Sequence, residues 1–145
     1  TKASQDKYFI EIVDKLFDSH KPDQLLFSFL RNEICLGYGG LVHMNLDDKH
    51  AEISFVMNTS LEKEYFYDFW YVYLNLIEEV AFDELGLIKI FVYAFDLRPK
   101  LYDVLIDSSY IKEARLKKHC LFNGKFIDVL IYSKFKNSEN SNFNR

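Results

Sequence analysis

A chain of 145 residues with 49% hydrophobic and 17% aromatic side chains can bury one core, which predicts a single domain and excludes extended disorder. Its formal net charge of −4, with RLKKH at Arg115 to His119 as the one short basic run, argues against a nucleic-acid partner. No apolar run is long enough to cross a bilayer, and Cys35 and Cys120 lie far apart without metal-ligand spacing, so a cytoplasmic protein with reduced thiols and no metal is expected.

QDKYFIEIVDKLFDS sets Tyr8, Ile12, Leu16 and Phe9, Val13, Phe17 at helical spacing, and Pro22 stops this first helix. LLFSFLRN and ICLGYGGLVHM are two apolar stretches around Asn32 and Glu33, as in an antiparallel hairpin. Gly37, Gly39 and Gly40 in the second predict a bulge or a close backbone approach. NLDDKH reads as a turn. In AEISFVMN the alternation puts Ala51, Ile53, Phe55 and Met57 on one face and Glu52, Ser54, Val56 and Asn58 on the other, a half-buried strand.

Thr59 and Glu62 fit a T-x-x-E capping box, which starts a helix near Ser60. Phe66, Phe69, Trp70, Tyr73, Ile77, Val80 and Ala81 give that helix one apolar face, and Gly86 ends it. IKIFVYAF is apolar on both faces and predicts a central strand, followed by a short helix in DLRPKLYDVLID with Pro99 near its first turn. YIKEARLKKHCLF and FIDVLIYSKF are strands joined by Asn123-Gly124, a strong hairpin signal. The order predicts an α/β domain over residues 1–135 with hairpins at both ends and a flexible tail over 136–145.

LGYGGLVHM before AEISF, then AFDELGLIKIFVYAFDLRP, SSYIKEARLKKH and NGKFIDVLIYSK resemble the GNAT acetyltransferases, in particular the ribosomal-protein and amino-sugar N-acetyltransferases, from about Tyr8 to Lys134. The resemblance implies a mixed, mostly antiparallel sheet with one parallel central pair and flanking helices, lacking the family's first strand and helix. It further implies acetyl-CoA as co-substrate, a small-molecule amine as acceptor, and an exposed sheet edge open to a homodimer or to a neighbouring domain of a longer protein.

Four positions depart from the family pattern. The glycine-rich loop expected after the strand ending near Asn58 is replaced by TSLEKEYFYDFW, with no Gly, Gln or Arg and with Glu62 and Glu64 at a helix start that otherwise favours anions. The family's Asn falls on Arg98, and its acid Tyr falls on Leu105, with Tyr102 about one turn away. Ser109 replaces the glycine of a Gly-Phe pair whose aromatic is Tyr110.

Acyl transfer from a thioester to an amine needs a base, donors for the thioester oxygen and a proton for the leaving sulfur. The resemblance implies Glu52 as base and Tyr102 as acid. It implies coenzyme contacts from Val56, Met57, Asn58, Lys63 and Arg98, and acceptor contacts from His119 and Trp70. Each has a plainer reading: Glu52 as a solvent-facing strand carboxylate, Tyr102 as a core or rim aromatic, His119 as an ordinary strand residue, Trp70 as core. His43 and His50, which flank the NLDDK turn, have no partner in the sequence. The expected function is an N-acetyltransferase acting by direct attack on an amino sugar or amino acid derivative. The alternative is a catalytically degenerate domain of the same fold that binds a substrate or partner or dimerises.

Overall fold

Alternating apolar and polar residues build six strands into one sheet, in a computed structural model that describes residues 21–137 together with Lys2, Ser4, Lys7, Ile10 and Glu11. The strands are β1 (Leu25–Arg31), β2 (Ile34–Asn45), β3 (His50–Met57), β4 (Lys89–Phe95), β5 (Ile111–Phe122) and β6 (Lys125–Phe135), in the spatial order β1-β2-β3-β4-β6-β5. All neighbouring pairs are antiparallel except β3 with β4. Helix α1 (Glu62–Glu79) joins β3 to β4 through a π-helical turn at Val80–Glu84, and α2 (Pro99–Asp107) joins β4 to β5. Most of the predicted first helix and most of the predicted tail lie outside the described residues.

Directly paired residues share a face of the sheet. Ala51 pairs with Ile90, Val92 with Tyr132 and Ala94 with Leu130. With Ile53, Phe55 and Met57 these form a buried face. Helix α1 covers it with Phe66, Phe69, Trp70, Tyr73, Leu74 and Ile77. Tyr73 stacks flat on Phe55 at 3.9 Å, and Trp70 meets the same ring edge-on at 5.1 Å. Helix α2 lies on the same face, where Tyr102 stacks on Tyr132.

The glycines of β2 mark the close approach expected of them. A Cβ on Gly39 would stand 2.1 Å from the Ser54 carbonyl oxygen, and one on Gly37 would stand 2.6 Å from that of Val56. The Asn123-Gly124 turn has φ of 47° and 75°, the left-handed pair that a two-residue hairpin needs. Gly86, at φ 64°, follows the π-helical turn.

Strands β3 and β4 pair only at His50 with Lys89, Ala51 with Ile90 and Glu52 with Phe91. Both continue, β3 to Met57 and β4 to Phe95, without further pairing. Beyond Glu52 the centre of the sheet is therefore open.

Candidate active site

The gap between β3 and β4 holds a cleft of about 340 Å³. Residues Glu52 to Phe55 of β3 and Val92 to Phe95 of β4 form its sides, with Trp70 and Leu101 reaching it from the helices. Asn58 donates its backbone N–H to the Leu36 carbonyl. Strand alternation then turns the N–H of Val56 toward β2 and those of Phe55 and Met57 toward the open edge. Unpaired amides on the wall of an apolar slot are the donors that an extended polar chain or a thioester oxygen requires.

Leu97 and Arg98 also line a second hollow of about 480 Å³ at the start of α1, together with Thr59, Glu62, Lys63, Phe66, Pro99 and Lys100. Lys63, Arg98 and Lys100 face one carboxylate there. The predicted Thr59/Glu62 capping box does not form: α1 begins at Glu62 behind Leu61, with no side-chain cap. Asn58 takes that local role instead, its Oδ1 accepting the Ser60 N–H at 3.1 Å and the Ser60 hydroxyl at 2.8 Å. Glu62 is drawn to Arg98 Nη1 at 3.3 Å, so its carboxylate is already paired. The hollow keeps a cationic rim without glycine, which fits the phosphate end of a coenzyme. Lys100 was not singled out in the sequence; the R-P-K run at Arg98 to Lys100 is the signal that was there to use.

On the sheet face away from the helices, Glu52 lines the cleft and its Oε2 lies 2.8 Å from His43 Nδ1. Tyr93 lines the same cleft from β4. Burial, a hydrogen bond with the Cys120 thiol and the charges of Cys120 and Glu52 push the Tyr93 hydroxyl above its ordinary value. His119 sets its ring edge-on to Tyr93 at 6.1 Å and is exposed. The structure thus brings Glu52, Trp70 and Arg98 to the cleft and Lys63 to the adjoining hollow, and leaves His119 behind Tyr93.

Tyr102 sits elsewhere. Its hydroxyl donates to Asp96 Oδ1 at 2.9 Å, and burial together with that bond pushes it well above the ordinary tyrosine value. It is absent from the cleft lining, to which its neighbour Leu101 contributes. Leu105, where the sequence resemblance puts the acid, is fully buried in the core. Asp96 also binds Arg115 at 3.0 Å, and Arg115 reaches Asp128 at 2.6 Å, so Tyr102 belongs to a brace between α2, β5 and β6. Among the described residues no group of three or more His, Cys, Asp or Glu is placed to hold a metal ion, and no helix is long and apolar enough to cross a membrane.

The fold is shared with solved acetyltransferases. The chain is similar to mutant forms of the spermidine/spermine N-acetyltransferase SpeG from Vibrio cholerae at a TM-score of 0.80 and 16% identity, covering 93% of this chain and 76% of that one. It is similar also to the dodecameric structure of spermidine N-acetyltransferase from Vibrio cholerae, at 0.79 and 16%, covering 93% and 74%. The family model described as an acetyltransferase (GNAT) domain matches residues 1–131. With the opened parallel pair and the cation-rimmed hollow beside it, that match places the chain in the GNAT acetyltransferase family.

Proposed function

We propose that the protein is an N-acetyltransferase that moves an acetyl group from acetyl-CoA to a primary amine of a small molecule by direct attack. The observation that carries this reading is the cleft between β3 and β4, continuous through Leu97 and Arg98 with the hollow bearing Lys63 and Lys100. When bound, acetyl-CoA supplies the activated acyl group. Lys63, Arg98 and Lys100 would hold its phosphates, the side chain of Asn58 orders the loop beneath them, and the amides of Phe55 and Met57 would hold its polar chain and acyl oxygen. Glu52 takes a proton from the incoming ammonium so that the nitrogen lone pair is free to attack. Of the two tyrosines near this end of the sheet, Tyr93 lines the cleft and is the hydroxyl we assign to the leaving sulfur, in place of the Tyr102 expected from sequence.

The acceptor class is a small amine, such as an amino sugar, an amino acid derivative or a polyamine of the kind named for the SpeG proteins. Two free cysteines suit a reducing, cytoplasmic compartment. A second reading, a GNAT-like domain that binds a substrate or partner without catalysis, is favoured by Leu105 at the acid position and the glycine-free loop.

Binding to the native state alone raises stability by about 2.7 kcal/mol at a hundredfold excess over Kd. For a chain of this size that is a rise of about 8 °C in melting temperature. Acetyl-CoA is expected to produce it. If neither acetyl-CoA nor free coenzyme A at millimolar concentration moves the melt, and calorimetric titration is flat, the acetyltransferase reading fails.

A further inference from the structure

We infer that His43 is the positioning residue for Glu52, an inference that rests on the acetyl-transfer reading. In β2, Val42 pairs with Glu52 and Asn45 with His50, so His43 and Met44 together stand opposite Ala51. In a plain strand residue 43 would face away from Val42 and Glu52. The extra residue changes that: His43 adopts φ 48°, and the bulge swings its ring to the Glu52 side, where Nδ1 meets Oε2 at 2.8 Å. Left-handed backbone in a residue other than glycine is strained, and bulges of this kind re-aim side chains beside active sites. Met44, the other residue of the bulge, turns inward and is buried.

The exposures suit the two tasks. The Glu52 side chain is 20% exposed and lines the cleft, whereas the His43 side chain is 79% exposed. Tyr93, from β4, lines the same cleft, and after burial and Cys120 the Glu52 charge helps to hold its hydroxyl above the ordinary value. With Oε2 held by His43, Oε1 is left to the acceptor. The ammonium gives one proton to Oε1 and keeps its electron pair. The Nδ1–H of His43 goes on donating to Oε2, and the Oε1 proton passes to water once the acetylated product has left, which restores the carboxylate.

His43→Gly tests this, because glycine accepts φ 48° and leaves room for free imidazole. Acetyl-CoA-dependent release of thiol would be followed with spermidine, glucosamine and a panel of amino acid amides. The variant should keep the wild-type melting shift with acetyl-CoA, lose roughly a hundredfold in kcat, and recover much of it in millimolar imidazole. In nitrogen-15 spectra, Glu52→Gln should displace the Nδ1 resonance of His43 from its wild-type position. Turnover by His43→Gly at the wild-type rate, or a loss that imidazole does not restore, overturns the positioning role while leaving acetyl transfer standing. A wild-type chain that neither binds acetyl-CoA nor turns over sinks both.

Discussion

Gly39 is where the fold and the cleft depend on one missing methyl group. Gly39→Ala would place a Cβ 2.1 Å from the Ser54 carbonyl oxygen, 2.7 Å from the Tyr73 hydroxyl and 2.8 Å from the Phe55 Cα. Two of these are backbone atoms of β3, so the methyl is accommodated only if β2 and β3 move apart at the Gly39–Phe55 pair. Overpacking of this kind costs about 1–3 kcal/mol. The Tyr73 hydroxyl, which donates to the Ser54 oxygen at 2.8 Å, loses its acceptor for about 1 kcal/mol more. The sum is about 2–4 kcal/mol, or roughly 6–15 °C in melting temperature. Gly86→Ala is the control, since its φ of 64° strains alanine but nothing lies within 4 Å of the added methyl; it should cost only about 1 kcal/mol. Thermal and urea melts of both variants, with Tyr73→Phe in each background, read the result. Tyr73→Phe should cost less in the Gly39→Ala background than in the wild type. A Gly39→Ala protein as stable as Gly86→Ala, or a Tyr73→Phe effect unchanged by it, would refute the reasoning.

Three further outcomes are expected. Lys63→Gln and Lys100→Gln should each weaken coenzyme A binding about fivefold at low salt, the worth of about 1 kcal/mol, with the difference shrinking as salt is added; equal affinities by calorimetry would remove the cationic rim from the site. Asp128 is held below the ordinary carboxylate range by the Lys118 amide and by Arg115. Its contribution is therefore present above the unfolded aspartate value and lost as pH falls through the lowered folded one. Asp128→Asn should melt below the wild type at pH 6, and the two curves should converge in acid; a gap that persists to low pH contradicts this. Ser109, at φ 65°, carries left-handed strain that glycine would not, so Ser109→Gly should raise the melting temperature by about 2 °C; no rise in a calorimetric scan would count against the assignment of strain.

Much of the fold was legible because its signals are local. Ala51, Ile53, Phe55 and Met57 alternate in sequence and are buried together, and Asn123-Gly124 makes the turn its backbone preference predicts. The start of α1 misled for a physical reason. Thr59 and Glu62 have capping-box spacing, but Asn58 reaches Ser60 first and Glu62 finds Arg98, 36 residues away, a partner that no local pattern contains. The same holds at the site. Glu52 could be placed on the polar face of its strand, yet its contact with His43 depends on a bulge that no glycine announces. Lys100 joins Lys63 only because the segment after β4 comes back to the start of α1. Tyr93, which the sequence reading gave no role, is proposed as the acid in place of Tyr102, because helix phase alone does not say that Asp96 waits beside Tyr102 and the open cleft beside Tyr93.

The claim on which the rest depends is that acetyl-CoA enters between β3 and β4. An amide-resolved NMR titration of the nitrogen-15-labelled protein with acetyl-CoA tests it most directly. Saturable shifts of the Phe55 and Met57 amides, together with Lys63 and Arg98, are predicted. Unmoved amides along β3, or saturable shifts confined to the separate hollow lined by Asn75, Glu78, Asp83 and Lys136, would contradict it.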